Sequence, residues 1–164
     1  HATMGLCTEL AELDQGNGVV NFIEEVGDVM WYLAIADDVI GWHSKLPAVM
    51  GPVERPLYWL GELNDVMKRH IFYGKGIDIE RLVLACNGIY RLLLVALWAK
   101  ETTAELCFEA NIRKLEKRYP EKMFTAQAAI HRDVDRELEH ISAEGRLLPR
   151  IEHLNLGEND GTDY

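Results

Sequence analysis

The sequence is poor in the features that mark specialised classes of protein. Its three cysteines are odd in number, fall in apolar helical patterns and lack the spacing of a metal site. We therefore predict that Cys7, Cys86 and Cys107 are reduced thiols in the core of a cytoplasmic protein. No run of basic residues occurs and the net charge is −10, which argues against binding to duplex nucleic acid.

Long apolar runs and prolines are also scarce. The longest apolar stretch, around residues 92–98, is too short to cross a bilayer, and no signal peptide is visible, so we predict no membrane partner. Three of the five prolines fall in residues 42–56, which predicts a linker or an irregular crossing there. The sequence starts at His1 inside a helical pattern, so we expect residues upstream of it.

Helical periodicity is what the chain has in abundance. No strand pattern is found, and 48% of the 164 residues are hydrophobic, so we predict an all-α bundle with a proper core. One domain is predicted over residues 1–146, followed by a loose tail over 147–164. Helices are predicted over residues 2–14, 20–40, 57–73, 78–98, 102–119 and 125–144.

The ends and faces of these helices carry further predictions. Asp78 is the candidate N-cap of the fourth helix, and Thr102 with Glu105 has the form of a capping box for the fifth. The fourth helix is apolar on most sides, so we predict that it is deeply buried.

Two segments of the chain resemble each other. Residues 22–37, shifted by sixty positions, fall on residues 82–97 with matching apolar positions, which predicts half-repeats over 1–41 and 57–98. The second copy has lost acidic residues, because Ala85 replaces Glu25 and Gly88 replaces Asp28. A shared helical period would imitate such a match, so duplication is a hypothesis.

Two acidic pairs lie within apolar helices, Glu9-x-x-Glu12 and Glu25-x-x-Asp28. A three-residue step places both carboxylates of a pair on one helix face, so two facing pairs can point at one spot. Carboxylates gathered in this way repel each other and favour a hard cation such as Mg²⁺ or Mn²⁺. Composition alone predicts about four such spacings and the chain has four, so solvated helix faces are the alternative.

A glycine interrupts the helix that carries the second acidic pair. Gly27 costs about 1 kcal/mol relative to alanine, which indicates that a packed helix or a metal-bound phosphate approaches the backbone closely.

Basic residues occur in two places. Asn111, Lys114 and Arg118 share one helix face and suit a polyphosphate, although a solvated face paired with acidic neighbours is the alternative. Residues 68–76 comprise the basic and aromatic end of a helix, followed by Lys75 between two glycines. Lys75 is either a phosphate-binding lysine or part of a helix C-cap.

In this order the motifs resemble the MazG-type all-α nucleoside triphosphate pyrophosphohydrolases, especially the compact bacterial and phage forms. The family pattern, E-x-x-E, a spacer and E-x-x-D, is matched by the two acidic pairs with twelve residues between them. Residues 4–9, 24–33, 70–75 and 111–120 are also similar, so the resemblance extends over most of residues 4–140. In compact members the 70–75 motif lies between the acidic pairs. Here it follows Glu62-x-x-Asp65, which implies a tandem pseudo-dimer in one chain.

The resemblance implies an enzyme that hydrolyses a nucleoside triphosphate to the monophosphate and pyrophosphate, for nucleotide-pool control or house-cleaning. A deoxynucleotide (dGTP, dCTP or dUTP) and a homo-dimer or homo-tetramer are expected. Metal ligands would be Glu9, Glu12, Glu25 and Asp28, holding two or more Mg²⁺ or Mn²⁺ ions. The proton would go to Glu24, which is not part of the family motif, or to one of the ligand carboxylates such as Glu25. The substrate would contact Asn111, Lys114, Arg118, Tyr119, Lys75 and Trp31, and its base would stack on Trp31, Tyr73 or Tyr119.

Two other functions are compatible with parts of the sequence. A catalytically dead regulatory or nucleotide-binding protein of the same fold is one, because the second copy has lost acidic residues. A ferritin-like di-iron carboxylate protein is the other, but only residues 137–140 supply its Glu-x-x-His motif, and that motif should occur on two helices.

Overall fold

A computed structural model describes residues 1–16, 18–43 and 56–121 and five further positions up to His131. Within these residues the protein has five helices and no strand, so the predicted all-α fold is confirmed. Most of the predicted linker, most of the predicted helix over 125–144 and all of the predicted tail lie outside the described residues. The helices are α1 (Ala2–Gln15), α2 (Val19–Ile40), α3 (Pro56–Tyr73), α4 (Ile79–Ala99) and α5 (Ala104–Arg118).

Local chemistry explains where the helices begin and end. The Asp78 side chain accepts a hydrogen bond from the Arg81 backbone N–H at 3.1 Å, as predicted for the N-cap of α4. Gly41 ends α2 in the left-handed conformation, with φ 59° and ψ 44°. The capping prediction for α5 is wrong by one residue. Thr103 is the extended residue whose hydroxyl accepts from the next turn, whereas Thr102 is buried before it.

The helices pack as two hairpins, α1 with α2 and α3 with α4. The hairpins meet through α2 against α4 and α1 against α3, and α5 packs on α2. Trp42 closes one end of the core by donating from its indole N–H to the Leu33 carbonyl at 2.8 Å. Hydrophobic residues that are at most 2% exposed form the centre of the core: Leu6, Ile23, Val26, Val29, Leu33, Leu63, Val66, Ala85, Cys86, Ile89, Leu93, Cys107 and Ala110.

The inner helices of the two hairpins have matching patterns of burial. All seven buried residues of α2 fall on buried residues of α4 after a shift of sixty positions. At the positions that correspond to Glu25 and Asp28, the second hairpin has apolar packing. Ala85 is fully buried there, and the Trp59 ring lies directly against Gly88.

Helix α4 is less buried than its composition predicts. Trp98 is 82% exposed and Val95 53% exposed, and with Leu84 and Leu94 they form an exposed apolar face. By length and composition this 21-residue helix could cross a membrane, because an 18-residue window of it has a mean hydropathy of 1.8. Half of that stretch is buried inside the bundle, as is usual for a core helix.

Gly88 gives a direct test of the packing between α3 and α4. A Cβ atom at Gly88 would lie 2.2 Å from the Trp59 ring. We expect Gly88→Ala to lower the free energy of unfolding by about 1–3 kcal/mol in urea titrations. Gly61→Ala is the matched control, since a Cβ there meets nothing within 4 Å and the substitution should stabilise α3 by up to about 1 kcal/mol. Equal stability of the two variants would contradict this packing.

Candidate metal centre

Three of the four predicted metal ligands lie together between α1 and α2. One carboxylate oxygen from each of Glu9, Glu12 and Glu25 lies within 4.8 Å of the other two. The three-residue step puts the two α1 carboxylates on one face, and the hairpin brings α2 alongside that face. Composition alone could have produced the three-residue spacing of these acidic pairs. In the fold, however, three of their carboxylates form a cluster.

Glu25 is the least exposed member of the cluster. Its side chain is buried, with the residue 6% exposed, and Oε1 accepts a hydrogen bond from the Asn21 side-chain amide at 3.1 Å. The other oxygen, Oε2, is buried and has no hydrogen-bond partner among the described residues. Burial, reinforced by the neighbouring acidic residues, raises the pKa of Glu25 to about 7. Burial, followed by the charge of Asp28, also raises the pKa of Glu9.

These features fit a hard divalent cation. All the donors are carboxylates, which Mg²⁺ and Mn²⁺ prefer, and the orphaned Oε2 of Glu25 is an acceptor that a cation would satisfy. Glu12 is exposed, so the cluster is open to solvent on the α1 side. The donor set does not discriminate between the two ions.

The fourth predicted ligand, Asp28, is held by α5. Its Oδ1 accepts from the Asn111 side-chain amide, and its Oδ2 forms an ion pair with the Lys114 ammonium. Lys114 is only 2% exposed and also lies 3.5 Å from a Glu24 oxygen. Beside the three-carboxylate cluster there is therefore a buried cation bound to two further carboxylates.

Gly27 explains how α5 reaches this position. A Cβ atom at Gly27 would lie 2.7 Å from the Cys107 carbonyl oxygen and 2.8 Å from the Asn111 Cβ. Of the two explanations for this glycine, the close approach of a packed helix is the one observed. The missing side chain lets α5 come near enough for its amide and ammonium groups to bind Asp28.

Tyr32 is a neighbour of the cluster that the sequence analysis missed. Its ring covers Gly5, where a Cβ atom would lie 2.3 Å from a ring carbon. Burial, followed by the charge of Glu9, raises the pKa of its hydroxyl, while Arg118 acts in the opposite direction and Tyr119 also interacts with it. The end of α5 thus lies within electrostatic range of the site. The available signal was the helical spacing of Tyr32, one turn after the second acidic pair.

Two predicted substrate contacts are not brought to the cluster by any described contact. Lys75 is exposed in the loop after α3, where its N–H donates to the Arg69 carbonyl and its carbonyl oxygen lies 2.9 Å from the His70 ring nitrogen. These local contacts match the helix-end interpretation of the motif. Trp31 is half-buried on α2. Tyr73, the third candidate for stacking, is 63% exposed at the end of α3.

The acidic pair of the second hairpin has a different environment. Arg81 binds Glu62 at 2.7 Å and Asp65 at 3.1 Å, and Lys68 lies 3.0 Å from Asp65. The hydrogen bonds from Lys68 and Arg81 lower the pKa of Asp65. This pair already has its counter-ions within the protein, so among the described residues only the first hairpin offers a carboxylate cluster with an orphaned acceptor.

Fold and site together define a helical bundle with a carboxylate cluster suited to a hard cation. Comparisons of the chain with protein-family profiles, with curated proteins and with solved structures gave no match. The case for a function therefore depends on the geometry of the site and on the resemblance of its motifs.

The raised pKa of Glu25 predicts how pH and metal affect stability. Without metal, raising the pH from about 4.5 to 7 should lower the melting temperature, because the folded state holds a proton that the unfolded state has released. Added Mn²⁺ should raise the melting temperature more at pH 8 than at pH 6, because at pH 6 the ion must displace that proton. Scanning fluorimetry measures both effects. In Glu25→Gln the melting temperature and its increase with Mn²⁺ should both depend less on pH. A wild-type melting temperature that does not change with Mn²⁺ would contradict the site.

Proposed function

We propose that the protein is a Mg²⁺- or Mn²⁺-dependent nucleoside triphosphate pyrophosphohydrolase. The observation that carries the proposal is the meeting of Glu9, Glu12 and Glu25, with an orphaned oxygen on Glu25, beside the buried Lys114 of α5. A cation site next to a protein cation is an arrangement suited to a polyanionic substrate. The resemblance of the motifs to the MazG-type pyrophosphohydrolases supports the same reaction.

Metal binding is assigned to the carboxylate cluster. Glu9, Glu12 and Glu25 would hold the ion or ions. Asp28, the fourth acidic residue of the motif, lies next to them and forms an ion pair with Lys114. When bound, the cation would supply Lewis-acid chemistry, lowering the pKa of water and offsetting phosphate charge.

The surrounding side chains would handle the proton and the leaving group. Water forms the new bond to the α-phosphorus, the bond from that phosphorus to the bridging oxygen breaks, and pyrophosphate leaves. We assign Glu24, whose carboxylate lies beside Lys114, as the base that accepts the proton of the attacking water. Arg118, near Tyr32 at the end of α5, would offset charge on the pyrophosphate.

A duplicated chain with one active half is part of the proposal. The matching burial of α2 and α4 supports duplication, and the apolar packing at Ala85 and Gly88 explains why the second half would hold no metal. The protein would act in the cytoplasm on a deoxynucleotide such as dGTP, dCTP or dUTP, as a homo-dimer or homo-tetramer.

Pyrophosphate release from a panel of ribo- and deoxynucleoside triphosphates tests the proposal. With Mg²⁺ or Mn²⁺ we expect turnover of at least one nucleotide, and EDTA should abolish it. Folded protein that releases no pyrophosphate from any nucleotide would refute the enzyme. The regulatory alternative has one observation in its favour, the ion pair that occupies Asp28. Nucleotide binding with Mn²⁺ but without hydrolysis would select that alternative.

A further inference from the structure

An apolar groove of about 640 Å³ opens at one end of the bundle. It lies where α1 and α4 end and where α2 and α3 begin, and the sequence analysis did not predict it. Its volume is within the range of small-molecule sites, about 300–1,000 Å³. Aliphatic side chains supply most of the walls, including Leu10, Leu13, Leu60, Leu93 and Ala96.

Polar side chains line the groove on the side of α1 and α2. Asp14, Gln15 and Asn21 together present a carboxylate and two amides, which can donate to and accept from a heterocycle. Lys100 adds a charged side chain at the end of α4. Apolar walls with a few polar groups are the usual form of a site for a flat, partly polar ligand.

Asn21 joins this groove to the carboxylate cluster. It lines the groove, its amide nitrogen donates to Glu25 Oε1 at 3.1 Å, and its amide oxygen lies against the Gly16 backbone. Asn21 therefore lies between the groove and the cluster and contacts both.

The order of groups along α2 gives the site a direction. Asn21, Glu25 and Asp28 are spaced four and three residues apart, so they share one helix face over about 10 Å. The groove lies at the Asn21 end, the carboxylate cluster lies in the middle, and Lys114 binds at the Asp28 end. A ligand complementary to this row has a flat, weakly polar part at one end and a polyanion at the other.

We propose that the groove receives the nucleoside part of the substrate and that Asn21 positions it relative to the metal centre. The scissile α-phosphate would then lie over the carboxylate cluster, with the pyrophosphate directed toward α5. This inference rests on the proposed function for its substrate. It adds the orientation of that substrate and a base-binding surface made by the two hairpins together.

A matched pair of variants on α4 tests the groove. Ala96 lines it, whereas Ala99, three residues further along the same helix, is exposed outside it. We expect Ala96→Phe to raise KM for the nucleotide about tenfold with little change in kcat, because the ring fills the groove and leaves the metal site intact. Ala99→Phe should change neither constant. Inhibition by inorganic tripolyphosphate, which has no base, should be the same in both variants and in the wild type.

Other measurements separate the possible failures. Equal KM values for Ala96→Phe and Ala99→Phe, or equal losses of affinity for tripolyphosphate and nucleotide in Ala96→Phe, would overturn the groove but not the enzyme. If no nucleotide is hydrolysed, calorimetry with nucleoside monophosphates still tests the groove, because binding should occur in the wild type and be lost in Ala96→Phe. Absence of binding in the wild type would overturn it. An Ala96→Phe oligomer that dissociates on size exclusion would instead assign the groove to a second copy of the chain.

Discussion

Glu25→Gln should reduce pyrophosphate release by about a thousandfold or more while leaving the helical circular dichroism unchanged. The glutamine has the same size, and its amide oxygen can still accept the hydrogen bond from Asn21. It cannot supply the negative charge that a hard cation requires. The metal-free variant should also melt at a higher temperature than the wild type at pH 8, because a buried charge beside Glu9 and Glu12 has been removed.

Glu25→Gln should lower the activity and raise the melting temperature of the metal-free protein. A loss of activity caused by unfolding would instead lower both. Asp38→Asn is the matched control, since it removes an exposed carboxylate from the same helix and should alter neither turnover nor the response to Mn²⁺. Full residual activity in Glu25→Gln would show that the metal centre lies elsewhere.

Lys114→Met should have the largest effect on stability. Lys114 is 2% exposed and forms ion pairs with Asp28 and Glu24, so its removal takes a buried ammonium away from two neighbouring carboxylates. Breaking a buried ion pair on one side costs about 3–5 kcal/mol, and we expect a loss of this size in urea titrations without metal. Mn²⁺ should restore part of the stability, because a divalent cation can replace the ammonium among the carboxylates.

The neighbouring residue provides the control for this prediction. Arg113 is paired with Glu109 on the exposed face of α5, so Arg113→Met should cost less than about 1 kcal/mol. Similar losses in the two variants would mean that the helix, rather than the ion pair, responds to the substitution. Unchanged stability in Lys114→Met would contradict the observed contact with Asp28.

The helices were largely predictable because their signals are local. Glycine ends α2 at Gly41, and an aspartate caps α4 at Asp78, so the sequence marks both positions. The start of α5 was missed by one residue because Thr102 and Thr103 are chemically alike. Only the extended backbone at Thr103 decides which hydroxyl reaches the first turn.

The candidate site was only partly predictable. Helical spacing indicates that Glu9 and Glu12 share a face, and the same rule applies to Glu25 and Asp28. It does not indicate that Asp28 is bound by Lys114, because those residues are far apart in sequence and meet only when α5 packs on α2. The two acidic pairs also look alike in sequence, yet Glu62-x-x-Asp65 is neutralised by Arg81.

The sequence by itself determined the all-α class, most of the helix ends and the helix faces that carry acidic and basic residues, because these depend on neighbours within one or two turns. The tertiary structure decided which carboxylates meet and which are neutralised by the protein's own cations, and it formed the groove beside Asn21. Those outcomes depend on the packing of helices that are distant in the chain. At Gly27 and Gly88 the absence of a single side chain sets how closely two helices approach.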